Sequence, residues 1–223
     1  SDPGQLVDLA GVAQLAGISR EGNTLVIGAM TRHADVAANE AVRSAIPALA
    51  ELAGNIGDKQ VRAMGTIGGS LANNDPAADY PAAALGLGAT IVTNQREIPA
   101  DEYFQGLFTT ALKDGELITA VRFPVPQKAA YMKFKQPASL FALIGVFVAK
   151  TPGGVRVAVT GGGNGVFRHQ ALEAALSANL TPQAAASVPL SNEGLGSDLH
   201  ASTAYRAQLV RVMAERAVAK AAA

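Results

Sequence analysis

The sequence has 223 residues, of which 49% are hydrophobic and 16% are charged, and its 18 basic residues balance its 18 acidic ones. This composition is typical of a folded protein with a sizeable core and argues against a disordered chain, while the zero net charge gives no indication of a nucleic-acid or acidic-membrane partner. No cysteine is present, which excludes disulfides and cysteine-ligated iron–sulfur clusters within this sequence and fits a reducing, cytoplasmic compartment.

The first half of the chain alternates between short strand-like and short helix-like segments. The predicted elements, in chain order, are a strand at 6–9, a hairpin over 18–29, helices over 40–52 and 80–87, a hairpin over 89–98 and a strand at 116–123. Gly54 is the predicted stop of the first helix, and Asp79 is a candidate cap of the second. Residues 61–79, between the two predicted helices, show no sustained period of apolar residues, so this segment is predicted to be irregular.

A proline pair in "PVPQ" then marks a change of character, and it predicts a boundary between domains at 1–125 and 126–223. Three consecutive strand-like runs follow, which are typical of an antiparallel meander, and three helices come after them. The longest apolar run, residues 140–149, is well short of the ~20 residues of a membrane span, so it is interpreted as a buried strand. Strands followed by helices indicate an α+β fold for the second domain.

The segment "VRAMGTIGGSLANNDPAADYPAA" at residues 61–83 concentrates the glycines and polar residues of the chain. Adjacent glycines let a backbone bend sharply and approach a ligand, and several N–H groups can then cradle an anion. The hydroxyls, amides and carboxylate of the run could bind a diphosphate with polyols attached; they belong to Thr66, Ser70, Asn73, Asn74 and Asp79.

Other interpretations of this run remain open on the residues alone. The segment contains neither a Walker loop nor a Rossmann G-x-G-x-x-G, which disfavours a P-loop NTPase or a nicotinamide-binding domain. A plain surface loop explains the glycine, asparagine, aspartate and proline content equally well. No metal site is predicted, because the three histidines are scattered without ligand spacing.

The order of residues in "DKQVRAMGTIGGSLANNDPAADYPAAALGLGA" resembles the FAD-binding medium subunits of molybdenum hydroxylases, such as the carbon monoxide dehydrogenase medium subunit and the xanthine dehydrogenase flavin domain. The later segments "GELITAVRFP", "YMKFKQPASLFALIGVFV", "VRVAVTGGGNGVFR" and "LHASTAYRAQLVRVMAERAV" are similar to the same family in the same order. The resemblance implies a vanillyl-alcohol-oxidase-like (PCMH-type) FAD-binding domain, represented here by its middle subdomain, followed by a C-terminal domain with a three-stranded antiparallel sheet and helices.

The resemblance also implies the cofactor-binding residues. The loop that wraps the diphosphate and ribityl chain would be Thr66, Ile67, Gly68, Gly69 and Ser70, with further contacts from Asn73, Asp79, Ile118 and Lys135. Each of the last three has an alternative: Asp79 could merely cap a helix, Ile118 could be core, and Lys135 could be a solvated strand residue. Ile56 lies where some relatives carry an aromatic residue that stacks on the flavin.

The same resemblance implies that this chain is an FAD-dependent oxidoreductase subunit. We predict no catalytic residue in it. It would pass electrons from the iron–sulfur clusters of a small partner subunit through FAD to an external acceptor, while a large molybdopterin-binding partner oxidises the substrate. Two rival hypotheses are a flavin-free assembly module of the same fold and a self-contained flavoprotein oxidase. The family's first diphosphate loop would precede residues 6–9 and is not in the sequence, so we expect the N-terminal subdomain to be missing and FAD affinity to be reduced.

Overall fold

The computed structural model describes residues 4–222 of the chain, which form two main antiparallel sheets with helices packed around them. The strands are β1 (Ile18–Glu21), β2 (Thr24–Gly28), β3 (Thr90–Thr93), β4 (Glu97–Pro99), β5 (Phe104–Gly106), β6 (Thr109–Thr110), β7 (Ile118–Pro124), β8 (Lys128–Lys135), β9 (Ala142–Thr151), β10 (Gly154–Thr160) and β11 (Phe167–Arg168). The helices are α1 (His33–Ala38), α2 (Glu40–Ala45), α3 (Pro47–Gly54), α4 (Lys59–Met64), α5 (Ile67–Asn73), α6 (Tyr80–Leu87), α7 (Ala100–Tyr103), α8 (Gln170–Ala178), α9 (Pro182–Ser187) and α10 (Thr203–Ala222).

The first sheet has the strand order β1-β2-β7-β3-β4. Both predicted hairpins are confirmed as β1–β2 and β3–β4, and the strand predicted at 116–123 becomes β7 at the centre of the sheet. The strand predicted at 6–9 is wrong: Leu6 and Val7 are exposed, and this segment pairs with no neighbouring strand. An apolar run without a sheet edge beside it has no partner for its backbone groups.

The helix predicted over 40–52 is two helices, because Pro47 interrupts it. Proline lacks an N–H and clashes with the preceding turn, so α2 ends at Ala45 and Pro47 begins α3. The apolar face survives the break, since Val42, Leu49 and Leu52 are all fully buried.

The second sheet has the strand order β11-β10-β9-β8. The three predicted strands are confirmed as its neighbouring members, and the two-residue β11 extends the sheet to four strands. Strand β9 is buried on both faces: Phe147 and Ala149 pack in the core around α6, whereas Val146 and Val148 pack in the core around α10. Burial on both faces explains why this strand is a continuous apolar run.

Helix α6 packs between the two sheets. Its predicted bounds, 80–87, are confirmed, and all eight of its residues are buried against β9 and β10 on one side and the first core on the other. Among residues 4–222, no helix has the length and apolar character needed to cross a bilayer. In the same part of the chain, no group of three or more histidine, aspartate or glutamate side chains could hold a metal ion.

Candidate functional site

A cavity of about 270 Å³ opens between helices α4 and α5 on one side and the β8–β9 connection on the other. Four residues selected from the sequence line it, namely Gly69, Ser70, Asn73 and Asp79. The cavity is also lined by His33, Ile56, Asp75, Ser139, Leu140 and Phe141. The structure therefore places four of the predicted cofactor-binding residues, all within 69–79, in one cavity. The rest of the cavity wall includes His33 and residues 139–141.

The glycine run folds as helices α4 and α5, which corrects the prediction of an irregular segment or loop. Thr66 is the N-cap of α5, and its side-chain oxygen accepts a hydrogen bond from the N–H of Gly69 at 3.1 Å. Such a cap satisfies one of the donors that a helix N-terminus otherwise leaves free. Asn74 closes the helix in the left-handed conformation, at φ 45°.

The N–H groups at the start of α5 all have acceptors within the protein. Ile67 donates to the carbonyl of Thr31 at 3.1 Å, Gly68 to that of Ala29 at 2.8 Å, Gly69 to the Thr66 side chain, and Ser70 to the carbonyl of Thr66 at 3.0 Å. The expectation that glycines free these amides to cradle a diphosphate is therefore wrong. Any contact from this helix to a ligand depends on its side chains and on its shape.

The two glycines of α5 have different reasons to be glycine. A Cβ on Gly68 would lie 2.5 Å from the Cβ of Ala29 and 2.8 Å from its carbonyl oxygen, so Gly68 lets α5 pack tightly against the end of β2. A Cβ on Gly69 would meet only the Thr66 side-chain oxygen, at 3.0 Å. Gly69 is exposed and lines the cavity, so its missing side chain leaves room for a ligand.

Asp79 is buried at the back of the cavity and is held by two side chains of β8. The hydroxyl of Tyr131 donates to Oδ1 at 2.5 Å, and the ammonium of Lys133 donates to Oδ2 at 2.8 Å. The side chains of Asp79 and Lys133 are each only 4% exposed. Asp79 precedes α6, but its side chain makes no capping hydrogen bond, so the alternative of a purely capping role is wrong.

The protonation of Asp79 is set by opposing effects. Burial raises the pKa of its carboxyl above the ordinary value, because removal from water penalises the charged form. The charge and hydrogen bond of Lys133, and the hydrogen bond of Tyr131, act against this rise. The Asp79 carboxyl thus lies away from water, and its ionisation depends on the charge and hydrogen bonds that Lys133 and Tyr131 supply.

His33 lies in the same cavity and was missed by the sequence analysis. Its Nδ1 is buried and has no hydrogen-bond partner in the protein, and its ring centroid lies 5.2 Å from that of Tyr80. Burial, together with the nearby charge of Arg62, lowers the pKa of His33 to about 4, so its imidazole is neutral at pH 7.

The remaining predicted residues do not line the cavity. Thr66, Ile67 and Gly68 lie behind it within α5. Ile118 is 7% exposed in the core of the first sheet, opposite Thr93, and Lys135 is exposed and donates to the side-chain oxygen of Asn55 at 3.2 Å. Direct contact of these five residues with a cofactor stays a prediction.

The residues present fit the uncharged parts of a flavin nucleotide. Ser70 and Asn73 offer a hydroxyl and an amide, and Asp79 offers an acceptor suited to ribityl hydroxyls. Leu140 and Phe141 supply apolar surface. At about 270 Å³ the cavity lies just below the usual range for ligand sites, about 300–1,000 Å³, so it suits part of a dinucleotide.

Comparison with known proteins shows the family of the chain. Residues 1–126 match the family described as the FAD binding domain in molybdopterin dehydrogenase. Fold and site thus define an FAD-binding oxidoreductase subunit. The chain belongs to this family of FAD-binding domains of molybdopterin dehydrogenases, and its cofactor is FAD.

Individual relatives are similar over much of the chain. The 6-hydroxypseudooxynicotine dehydrogenase complex subunit alpha of Paenarthrobacter nicotinovorans is 36% identical over 99% of this chain and 80% of its own length. The carbon monoxide dehydrogenase medium chain of Afipia carboxidovorans is 40% identical over 68% of this chain and 55% of its own length. A solved structure of carbon monoxide dehydrogenase from Hydrogenophaga pseudoflava superimposes with a TM-score of 0.84 at 34% identity, covering 93% of this chain and 78% of that one. The predicted PCMH-type FAD-binding fold is confirmed.

Proposed function

We propose that this chain is the flavin-carrying electron-transfer subunit of a molybdenum hydroxylase complex. In this proposal a large molybdopterin-binding partner oxidises the substrate, and this chain holds FAD between the iron–sulfur clusters of a small partner and an external acceptor. When bound, FAD supplies the redox chemistry, and the protein supplies binding, orientation and electrostatics. The relatives named as medium chains or complex subunits support this assignment. The cysteine-free sequence also supports it, because such clusters would have to be held by another chain.

The observation that carries the proposal is the cavity lined by Gly69, Ser70, Asn73 and Asp79. In this cavity Ser70, Asn73 and Asp79 would hydrogen-bond the polar parts of the cofactor, and Gly69 would allow its close approach. Phe141 would cover the site and exclude water from it.

We also propose the boundary predicted from the sequence, with the FAD-binding domain at 1–125 and the C-terminal domain at 126–223. The first sheet ends with β7 at Pro124, and the second begins with β8 at Lys128, which supports a division in the proline segment between them. We place the complex in the cytoplasm, because the absence of cysteine fits a reducing compartment.

The experiment is a titration of the full-length protein with FAD, followed by the quenching of flavin fluorescence. We expect saturable uptake at one FAD per chain. Gly69→Leu, which fills the cavity side of α5, should weaken binding at least tenfold. The matched control is Ala72→Leu on the same helix, because Ala72 is exposed and does not line the cavity.

The proposal fails if the full-length protein shows no saturable uptake of FAD. The placement of the site fails if Gly69→Leu binds FAD as tightly as Ala72→Leu does. Turnover of a substrate by the chain without any partner would instead support a self-contained oxidase.

A further inference from the structure

The Asp79 carboxylate lies in an arrangement that fixes both of its oxygens. Oδ1 accepts a hydrogen bond from the Tyr131 hydroxyl at 2.5 Å, and Oδ2 accepts one from the Lys133 ammonium at 2.8 Å. Each carboxylate oxygen has two lone pairs, so each keeps one free for another donor. Lys133 also donates to the main-chain carbonyl of Asn55, so its ammonium is anchored on two sides.

The sheet contains a glycine that makes room for this arrangement. Gly145 lies in the interior of β9, directly opposite Lys133 on β8, where a glycine weakens a strand. A Cβ at this position would overlap the Tyr131 hydroxyl, and it would lie 2.9 Å from both Tyr131 Cζ and Thr160 Cγ2. Any side chain at Gly145 would therefore push the hydroxyl away from Asp79.

We propose that Tyr131 and Lys133 are positioning residues that hold the Asp79 carboxylate ionised and in one orientation, ready to accept a hydrogen bond from a cofactor hydroxyl. The inference rests on the proposed assignment of the cavity to FAD. It adds two residues of β8 that lie 52 and 54 positions along the chain from Asp79 and that do not themselves line the cavity.

The physical reason is the competition between burial and pairing. A buried carboxylate without a partner takes up a proton, whereas an opposite charge in contact favours the ionised form by about 1–3 pKa units. Lys133 is the charged partner, and the Tyr131 hydroxyl adds a hydrogen bond to the ionised form. A protonated Asp79 would accept a weaker hydrogen bond, because bonds to a charged acceptor are about twice as strong as neutral ones.

The charge of Lys133 can be tested through the pH dependence of FAD binding. In the wild type, affinity should fall as the pH drops through the pKa of Asp79, since protonation removes the charged acceptor. Lys133→Met should move this midpoint upward by about 1–3 pH units, whereas Lys133→Arg, which keeps the charge, should restore it. Asp79→Asn should abolish the midpoint. The measurement is the FAD dissociation constant from fluorescence quenching at each pH.

Other titratable groups near Asp79 need to be distinguished from it. They are Lys135 on β8, Tyr80 on α6, and His33 and Asp75 on the cavity wall. Burial lowers the pKa of His33 to about 4, so its protonation in the wild type lies near that pH. If the wild-type midpoint stays at the same pH in Asp79→Asn, it belongs to one of these groups and the inference is overturned.

The orientation by Tyr131 is tested by removing its hydroxyl. Tyr131→Phe should weaken FAD binding by about 2- to 10-fold, the range expected for one hydrogen bond, and Gly145→Ala should do the same by displacing the hydroxyl. Because both changes disrupt one contact, the double variant should lose less than the product of the two single effects. Tyr103→Phe is the matched control, since it also removes a buried hydroxyl, one that donates to Leu71 away from the cavity.

The outcomes separate this inference from the proposed function. If the wild type takes up no FAD, the proposed function fails and the inference falls with it. If the wild type binds FAD but Lys133→Met and Lys150→Met have the same pH midpoint of FAD affinity, the inference alone is refuted. Lys150 is a suitable control because it is an exposed lysine on the neighbouring strand. If Lys133→Met does not fold, Lys133→Arg and Tyr131→Phe still decide: an unchanged affinity in Tyr131→Phe refutes the positioning role.

Discussion

Gly68→Ala is expected to destabilise the protein, whereas Gly69→Ala is not. The new Cβ at Gly68 would lie 2.5 Å from Ala29 Cβ and 2.8 Å from the Ala29 carbonyl oxygen, against ordinary contacts of about 3.5–4.0 Å between carbon atoms. Helix α5 would have to move by about 1 Å from the end of β2 to relieve this overlap.

The size of the effect follows from three contributions. Overpacking of a core costs about 1–3 kcal/mol, and stretching the hydrogen bond from Gly68 N–H to Ala29 adds about 0.5–1.5 kcal/mol. The higher helix propensity of alanine offsets about 1 kcal/mol. The expected net loss is about 0.5–3.5 kcal/mol, which lowers the Tm of a protein of this size by about 1–14 °C.

Thermal unfolding of the two variants in the absence of FAD, followed by far-ultraviolet circular dichroism, is the assay. The free energy of unfolding of Gly69→Ala should stay within about 1 kcal/mol of the wild-type value. Its new Cβ meets only the Thr66 side-chain oxygen, and alanine has a higher helix propensity than glycine. Equal Tm values for Gly68→Ala and the wild type would refute the argument that α5 packs against the end of β2 through Gly68.

Three further predictions concern other parts of the structure. Asn74→Ala should cost about 2–3 kcal/mol in urea unfolding, because the Asn74 side chain donates to two carbonyls of the β5–β6 hairpin and holds a left-handed conformation. The pKa of His33 is lower in the folded state, so its contribution to stability is present above pH 6.5 and lost as the pH falls to about 4; His33→Gln should reduce this dependence in urea unfolding at several pH values. Asp101→Asn should cost less than about 1 kcal/mol and less still at high salt, since its ion pairs with Arg156 and Arg168 are partly exposed.

Sequence reasoning succeeded where the structure is locally determined. The β1–β2 hairpin, the β3–β4 hairpin and helix α6 follow from turn residues and apolar periods that lie within a dozen positions of one another. The break at Pro47 was also available from local chemistry, because a proline inside a helical pattern ends or restarts the helix, but the apolar period over 40–52 concealed it.

Helix α5 could not be predicted in the same way. Gly68 and Gly69 lower helix propensity and favour a loop interpretation, and the reason for Gly68 is the close approach of Ala29, 39 positions earlier in the chain. Only the packed structure shows that contact. The packed structure also engages the amides of α5, so the expectation of free amides was wrong. Gly69, Ser70 and Asn73 line the cavity, and their contact with a cofactor stays a prediction.

In the candidate site, too, the sequence predicted a lining residue but not the distant residues that contact it. Asp79 was selected from the sequence and does line the cavity, whereas its partners Tyr131 and Lys133 come from a strand more than 50 positions away. Their spacing of two places them on one face of β8, but nothing local connects that face to Asp79. His33 likewise carries no local signal, since its burial depends on Gly65 leaving space for its ring.

The charges around the cavity limit which part of FAD it can hold. Two carboxylates, Asp75 and Asp79, line it, His33 is neutral at pH 7, and no lysine or arginine of the described residues does so. Asp79 is paired with Lys133 behind this wall, but Asp75 would repel a diphosphate, whereas neither carboxylate would hinder ribityl hydroxyls or an uncharged ring. Since the amides of α5 are also engaged, in the proposed FAD site the electrostatic grip on the diphosphate would come from groups outside this cavity, and the cavity would act on the polyol and the ring.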